Sequence, residues 1–154
     1  MKKVILSTVV IAGTLDIVAA FIQSYLMSGV MPSALLKFIA SGVFGSVATN
    51  GGLGMAFVGL LFHFIIVIAC TWSYFFIYPK FSLLWNKWFV GSVLIAIVAW
   101  FVTNWVVIPM SKIPVRSFNF SKALLAIAIL FVCVGTPIAY QAQRYFNIGE
   151  KVKR

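Results

Sequence analysis

Four long apolar runs, at residues 4–27, 54–78, 89–110 and 123–140, decide the solvent of this chain before any motif is considered. A hydrocarbon core about 30 Å thick is crossed by about 20 helical residues at a rise of about 1.5 Å each, and each run falls in the workable range. With 63% hydrophobic residues, only 9% charged ones and a mean hydropathy of +1.10, there is too little polar surface to cover a water-soluble domain. The expected fold is a single all-α integral membrane domain over residues 1–154, a four-transmembrane-helix bundle.

The ends of the runs carry the residues that a membrane interface selects. Lys2 and Lys3 precede the first run, Pro79-Lys80 follows the second, and Trp85, Lys87 and Trp88 precede the third. Lys112 follows the third, and Lys122 and Arg144 flank the fourth. Trp prefers the headgroup layer, and long basic side chains extend out of the hydrocarbon. Placing both termini in the cytoplasm puts Lys2, Lys3, Lys80, Lys87, Arg144, Lys151, Lys153 and Arg154 inside, against Lys37, Lys112, Arg116 and Lys122 outside. Basic residues accumulate on the cytoplasmic side, so the expectation is a multi-pass protein of the bacterial inner membrane, N-in and C-in. The net charge of +10 then reads as topology signal and attraction to anionic lipid, not as a nucleic-acid surface. Met1-Lys2-Lys3, an apolar run and Val18-Ala19-Ala20 together have the outline of a secretory signal. The run nevertheless continues through Phe21 and Ile22 with an acid at its centre, which favours a retained span.

Between the first two spans, residues 32–48 form a shorter segment. Leu36, Ile39, Ala40, Val43, Phe44 and Val47 share one helical face opposite Lys37, Ser41 and Ser46, the pattern of an amphipathic helix lying on the membrane surface. Pro32 suits its first turn. The glycines of Asn50-Gly51-Gly52-Leu53-Gly54 are expected to turn the chain into the second span by adopting positive φ. They lack the Lys and Ser/Thr of a phosphate-cradling loop.

Scarcity excludes whole classes of chemistry. The chain holds one Asp (Asp16), one Glu (Glu150), one His (His63) and two cysteines, Cys70 and Cys133, outside any Cys-x-x-Cys pair. A carboxylate dyad within the bilayer, a two-metal centre, a structural zinc site and a bis-His haem are therefore not available to it. No metal, no other cofactor and no enzymatic activity are expected. Ser73, as a nucleophile oriented by Asp16 and His63, lacks any accompanying motif.

The polar residues inside the spans are the candidates for function. At 100° per residue the first span aligns Val9, Ala12, Gly13, Asp16, Ala20, Gln23 and Met27, and the second aligns Gly52, Ala56, Gly59, His63, Cys70 and Tyr74. Small residues in such stripes let helices approach closely, so the two stripes are expected to face each other. Asp16 lies eleven residues from the outer end of its run, about 17 Å. His63 lies nine residues from its own outer end, about 14 Å. An isolated charge at that depth is expensive, so Asp16 either stays protonated or pairs with His63 in an intramembrane polar couple. In the third span Ser92, Ala96, Ala99 and Thr103 form the packing stripe, and Thr103 and Asn104 are expected to join Gln23 in an outer polar cluster. In the fourth, Pro137 after Gly135-Thr136 removes the amide that would bond the Cys133 carbonyl and is expected to kink the helix.

One stretch carries a resemblance. His63 within a span, Tyr78-Pro79-Lys80 followed by Trp85, Gly91 opening the next span, and Ile108-Pro109-Met110-Ser111-Lys112-Ile113-Pro114 closing it resemble the YagU-like family of small bacterial inner-membrane proteins. Ile11-Ala12-Gly13 is compatible with it, and Asp16 departs from its pattern. The resemblance implies a four-helix inner-membrane protein of largely unassigned activity, associated with acid tolerance, and it carries over His63 and the Pro79-Lys80 turn. The functional expectation is proton- or pH-linked transport or response through Asp16 and His63. Four helices enclose little space, so a pore needs several copies and a homo-oligomer is expected. The other reading is an accessory subunit that holds a partner membrane protein through its small-residue faces.

Overall fold

The computed structural model describes residues 1–81, 84, 87–108 and 119–152, which are helical apart from short connections and include no strand. The helices are α1 (Lys2–Ser28), α2 (Pro32–Phe44), α3 (Ser46–Asn50), α4 (Leu53–Ile77), α5 (Trp88–Val102), α6 (Phe120–Leu130) and α7 (Thr136–Val152). A 3₁₀ turn, Tyr78–Lys80, ends α4. A π-helical segment, Thr103–Val107, prolongs α5, and another, Phe131–Gly135, joins α6 to α7. Four of the resulting helices are long and apolar enough to cross a membrane.

The first two match the expected runs to within two residues at each end. The third begins at Trp88, while its expected end at residue 110 lies outside the described residues. The fourth departs most, starting at Phe120 and running to Val152 instead of covering 123–140. The early start follows from Asn119, whose side-chain oxygen accepts the Lys122 amide at 3.0 Å and caps the helix. The late end follows from packing that hydropathy does not register. Ile138, Ala139 and Ala142 are fully buried, and the Tyr145 and Phe146 rings meet Phe75 at 6.3 Å.

The fourth helix lies between the first and third. Its π segment and α7 pack on α1 on one side and on α5 on the other, and α4 closes on α1. Val9, Ala12, Val67, Phe75, Ile95 and Val134 fill the shared core. Large apolar side chains such as Leu15, Phe57, Ile66, Leu94, Phe101 and Val132 cover the outside instead. At one end, Tyr78 stacks on Phe146 with ring centroids 5.2 Å apart, and Val4 and Ile5 of the first turn of α1 pack against the same cluster.

The segment 32–48 is not one amphipathic surface helix. It breaks at Gly45, whose φ of 61° and ψ of −140° lie outside the helical region, and it docks along α4. A Cβ on Gly59 would overlap the Leu36 carbonyl, so the two backbones touch. Docking divides the expected faces: Ala40 of the apolar face and Ser41 of the polar one are both buried, with Ser41 donating to the Phe38 carbonyl at 2.6 Å, while Val43, Phe44 and Val47 are exposed. The turn chemistry is also displaced. Among the described residues positive φ occurs at Gly29 and Gly45, whereas Gly51 and Gly52 both have φ of −76°, because the break falls earlier and leaves only an extended link before α4.

The missing amide of Pro137 is absorbed by the π segment that ends two residues earlier, at Gly135. The helix is locally widened there, just before the proline at which a kink is expected, and the Thr136 hydroxyl donates to the Phe131 carbonyl at 2.9 Å. The other π segment ends at Val107, likewise two residues before a proline, Pro109.

Candidate functional site

The site is built on the contact between α1 and α4. Gly13 is buried in α1, and a Cβ there would stand 2.5 Å from Cε1 of Phe64, so glycine lets α4 come close enough for His63 to reach the α1 backbone. The His63 Nε2–H donates to the Gly13 carbonyl at 2.9 Å. A carbonyl oxygen has a second lone pair beyond the one used within the helix and accepts only, so the proton on this side belongs to Nε2. Nδ1 then faces Asp16 across 3.9 Å to Oδ2. The Phe64 ring, set edge-on to the imidazole at 5.4 Å, closes one side.

This tautomer sets the chemistry of the pair. With Nε2–H committed, a neutral His63 presents a lone pair at Nδ1, which accepts from a protonated Asp16. A cationic His63 presents Nδ1–H, which donates to an ionised Asp16. The two states differ only in the position of one proton and carry the same net charge. At 3.9 Å the groups are at ion-pair range and about 1 Å short of contact for a charge-assisted hydrogen bond. The side chains are 11% exposed for His63 and 19% for Asp16, and the carboxyl is the more open of the two.

The expected packing residues divide among several partners. Gly13, Ala56, Gly59 and Ala96 are buried, while Ala20 and Ala99 are half-buried. The α4 stripe does not face α1 along its length. Gly59 meets α2 at Leu36, His63 meets α1 at Gly13, and the Tyr74 hydroxyl lies against Gly91 of α5. A straight helix crossed by several neighbours offers one stripe to each of them in turn.

Among the described residues no hydrogen bond joins the members of the expected outer polar cluster. The Gln23 amide contacts its own helix neighbour Met27 at Sδ, 3.8 Å away. Asn104 donates to the Trp100 carbonyl at 2.9 Å, and Thr103 is exposed. The fourth helix packs on both α1 and α5, and each amide turns to its own helix. Ser73 is exposed on α4, ten residues beyond His63, about 15 Å along the axis. Cys70 and Cys133 are free and half-buried.

Three contributions escaped the sequence. Gly13 enters as a backbone acceptor, which no side-chain pattern announces, although its position on the Asp16 stripe was visible. Gln143 of α7 accepts the Trp88 backbone amide at 3.0 Å and so caps α5 from another helix. Thr71 of α4, fully buried, is one threonine in an apolar run and carries no periodic signal of its own.

Among the described residues no group of three or more His, Cys, Asp or Glu side chains is arranged to hold a metal ion. No family model matches the chain, and neither a curated protein nor a solved structure is detectably similar to it.

Proposed function

We propose that this chain is a small multi-pass protein of the bacterial inner membrane, N-in and C-in, whose four apolar helices form a membrane-inserted bundle and whose Asp16–His63 pair takes up and releases protons within it. The single observation that supports this is the geometry of the imidazole. One nitrogen is tied to the Gly13 carbonyl and the other faces a carboxyl at 3.9 Å, so the pair stores one proton and is poised to accept or lose another. Acid and His residues at membrane depth are the usual parts of proton relays and pH-responsive switches. Transport through such a small unit proceeds in a homo-oligomer, because four helices leave no room for a pore.

The test is proton flux into liposomes loaded with a pH-sensitive dye. The purified protein dissipates an imposed pH gradient, and Asp16→Asn, which keeps the shape of the side chain and removes its titration, abolishes the effect. Absence of flux with a folded wild-type protein, or flux unchanged in Asp16→Asn, overturns the reading.

A second reading follows from the same His63–Gly13 bond, which also clamps α1 to α4. An accessory subunit needs a rigid pair of helices to present to a partner membrane protein, and buried polar contacts serve such packing. A partner copurifying at fixed stoichiometry, with no flux, is the outcome that selects it.

A further inference from the structure

Buried hydroxyls in this fold settle on their own helix wherever they can. Thr8 donates to the Val4 carbonyl at 2.7 Å, Ser41 to Phe38 at 2.6 Å and Ser92 to Trp88 at 2.8 Å. Thr71, fully buried, does not: its Oγ1 has no hydrogen-bond partner among the described residues, and neither has the hydroxyl of Tyr74, which is 8% exposed. The back-bond to a helix carbonyl is open to any threonine, so Thr71 directs its oxygen elsewhere. A hydroxyl buried without a partner is costly, and two of them lie one turn apart on α4, three residues or about 4.5 Å along the axis. The Tyr74 hydroxyl fills the place a side chain would take at Gly91, and the ring of Tyr78 follows at 5.9 Å.

These groups continue the His63 side of α4. At 100° per residue Val67, Thr71, Tyr74 and Tyr78 all fall within about 80° of His63, and the series runs to the end of the helix where Tyr78 stacks on Phe146. Between the imidazole and the hydroxyls the same arc carries Val67, 4% exposed, and also Ile66 and Cys70. We propose that Thr71 and Tyr74 form a buried water site beside α5, and that this site is the inner access by which protons reach the Asp16–His63 pair. Water suits the two groups because it donates and accepts at once, and buried water characteristically satisfies otherwise orphaned polar groups. The access role rests on the proton reading above; the water site does not.

Infrared spectroscopy of a thiol separates the two. In a background carrying Cys70→Ala and Cys133→Ala, the S–H band of Thr71→Cys in proteoliposomes transferred to D₂O is expected to convert to S–D within minutes, as that of the exposed position Ser121→Cys does. The fully buried position Ala96→Cys is expected to keep its S–H band for hours. A Thr71→Cys band that persists like that of Ala96→Cys overturns the water site. Where Thr71→Cys does not fold, the melting temperature of Thr71→Val decides: a fall of a few degrees shows that the hydroxyl has a partner to lose, and an unchanged or higher value overturns the site. Thr71→Val and Tyr74→Phe are each expected to lower proton flux at least ten-fold. Flux at wild-type level with a hydrated Thr71→Cys overturns the access role alone, and absence of flux in the wild type refutes the proton reading and the access role while the exchange result still decides the water site.

Discussion

The carbonyl oxygen of Gly13 accepts a hydrogen bond from the His63 imidazole at 2.9 Å, and this one contact fixes which ring nitrogen carries the proton. Wherever the imidazole is neutral, the Nε2–H tautomer is therefore expected in ¹⁵N spectra of the histidine-labelled protein in bilayers. A neutral Nδ1–H signal contradicts the structure. His63→Ala removes the bond to the Gly13 carbonyl and leaves the Asp16 carboxyl without its partner, and is expected to cost about 2 kcal/mol in reversible unfolding in mixed micelles, in line with orphaned buried polar groups.

Gly59 and Gly13 are both contact glycines, yet they differ in what a methyl group would meet. At Gly59 it meets the Leu36 carbonyl of the α2 backbone, and at Gly13 the edge of the Phe64 ring. A backbone cannot turn aside, whereas a ring can rotate at moderate cost. Gly59→Ala is expected to lose about 3 kcal/mol and Gly13→Ala about 1–2 kcal/mol, within and at the lower end of the range for overpacking. Unfolding of the two variants side by side checks the order, and equal losses would show that α2 is loosely held.

Gln143 caps the first turn of α5 through the Trp88 amide at 3.0 Å. Gln143→Ala removes that acceptor and is expected to lower stability by about 1 kcal/mol, as loss of other helix caps does. Gln143→Glu keeps an oxygen at the same reach and adds a negative charge at a helix N-terminus, which is favourable there. Thermal unfolding therefore ranks the glutamate variant at or above wild type and the alanine variant below.

The proposed topology places Lys2, Lys3, Lys80, Lys87 and Arg144 on one side and Lys37 and Lys122 on the other. Reporter fusions before Met1 and after Arg154 are expected to be active only as cytoplasmic fusions, and a reporter inserted after Gly29 only as a periplasmic one. Charges in short loops set orientation, so a fusion at either terminus that reports the outside refutes the assignment.

Much of the fold was legible because hydropathy is a local property. The limits of the first two long helices follow from where apolar residues stop, and the depths of Asp16 and His63 follow from counting residues at a fixed rise. The proximity of Asp16 to His63 was approachable for the same reason, since a polar residue on a small-residue stripe has few directions to face. The course of α7 beyond Tyr140 was not legible, because Tyr145 and Phe146 are drawn in by aromatic rings some seventy residues earlier in the chain. Nor was the fate of Gln23, Thr103 and Asn104, which no hydrogen bond joins among the described residues.

The sequence alone determined that four helices are long and apolar enough to span a membrane, that the chain holds a single Asp, a single Glu and a single His, and that Asp16 and His63 stand at similar distances from the ends of their apolar runs. Composition and periodicity are summed along the chain, so they need no knowledge of neighbours. Only the tertiary structure decided that α2 docks on Gly59, that the Gly13 carbonyl selects the tautomer of His63, and that the hydroxyls of Thr71 and Tyr74 have no partner among the described residues. Those features arise where backbones from distant parts of the sequence touch, and a contact of that kind depends on helix order and crossing, which residue spacing does not encode.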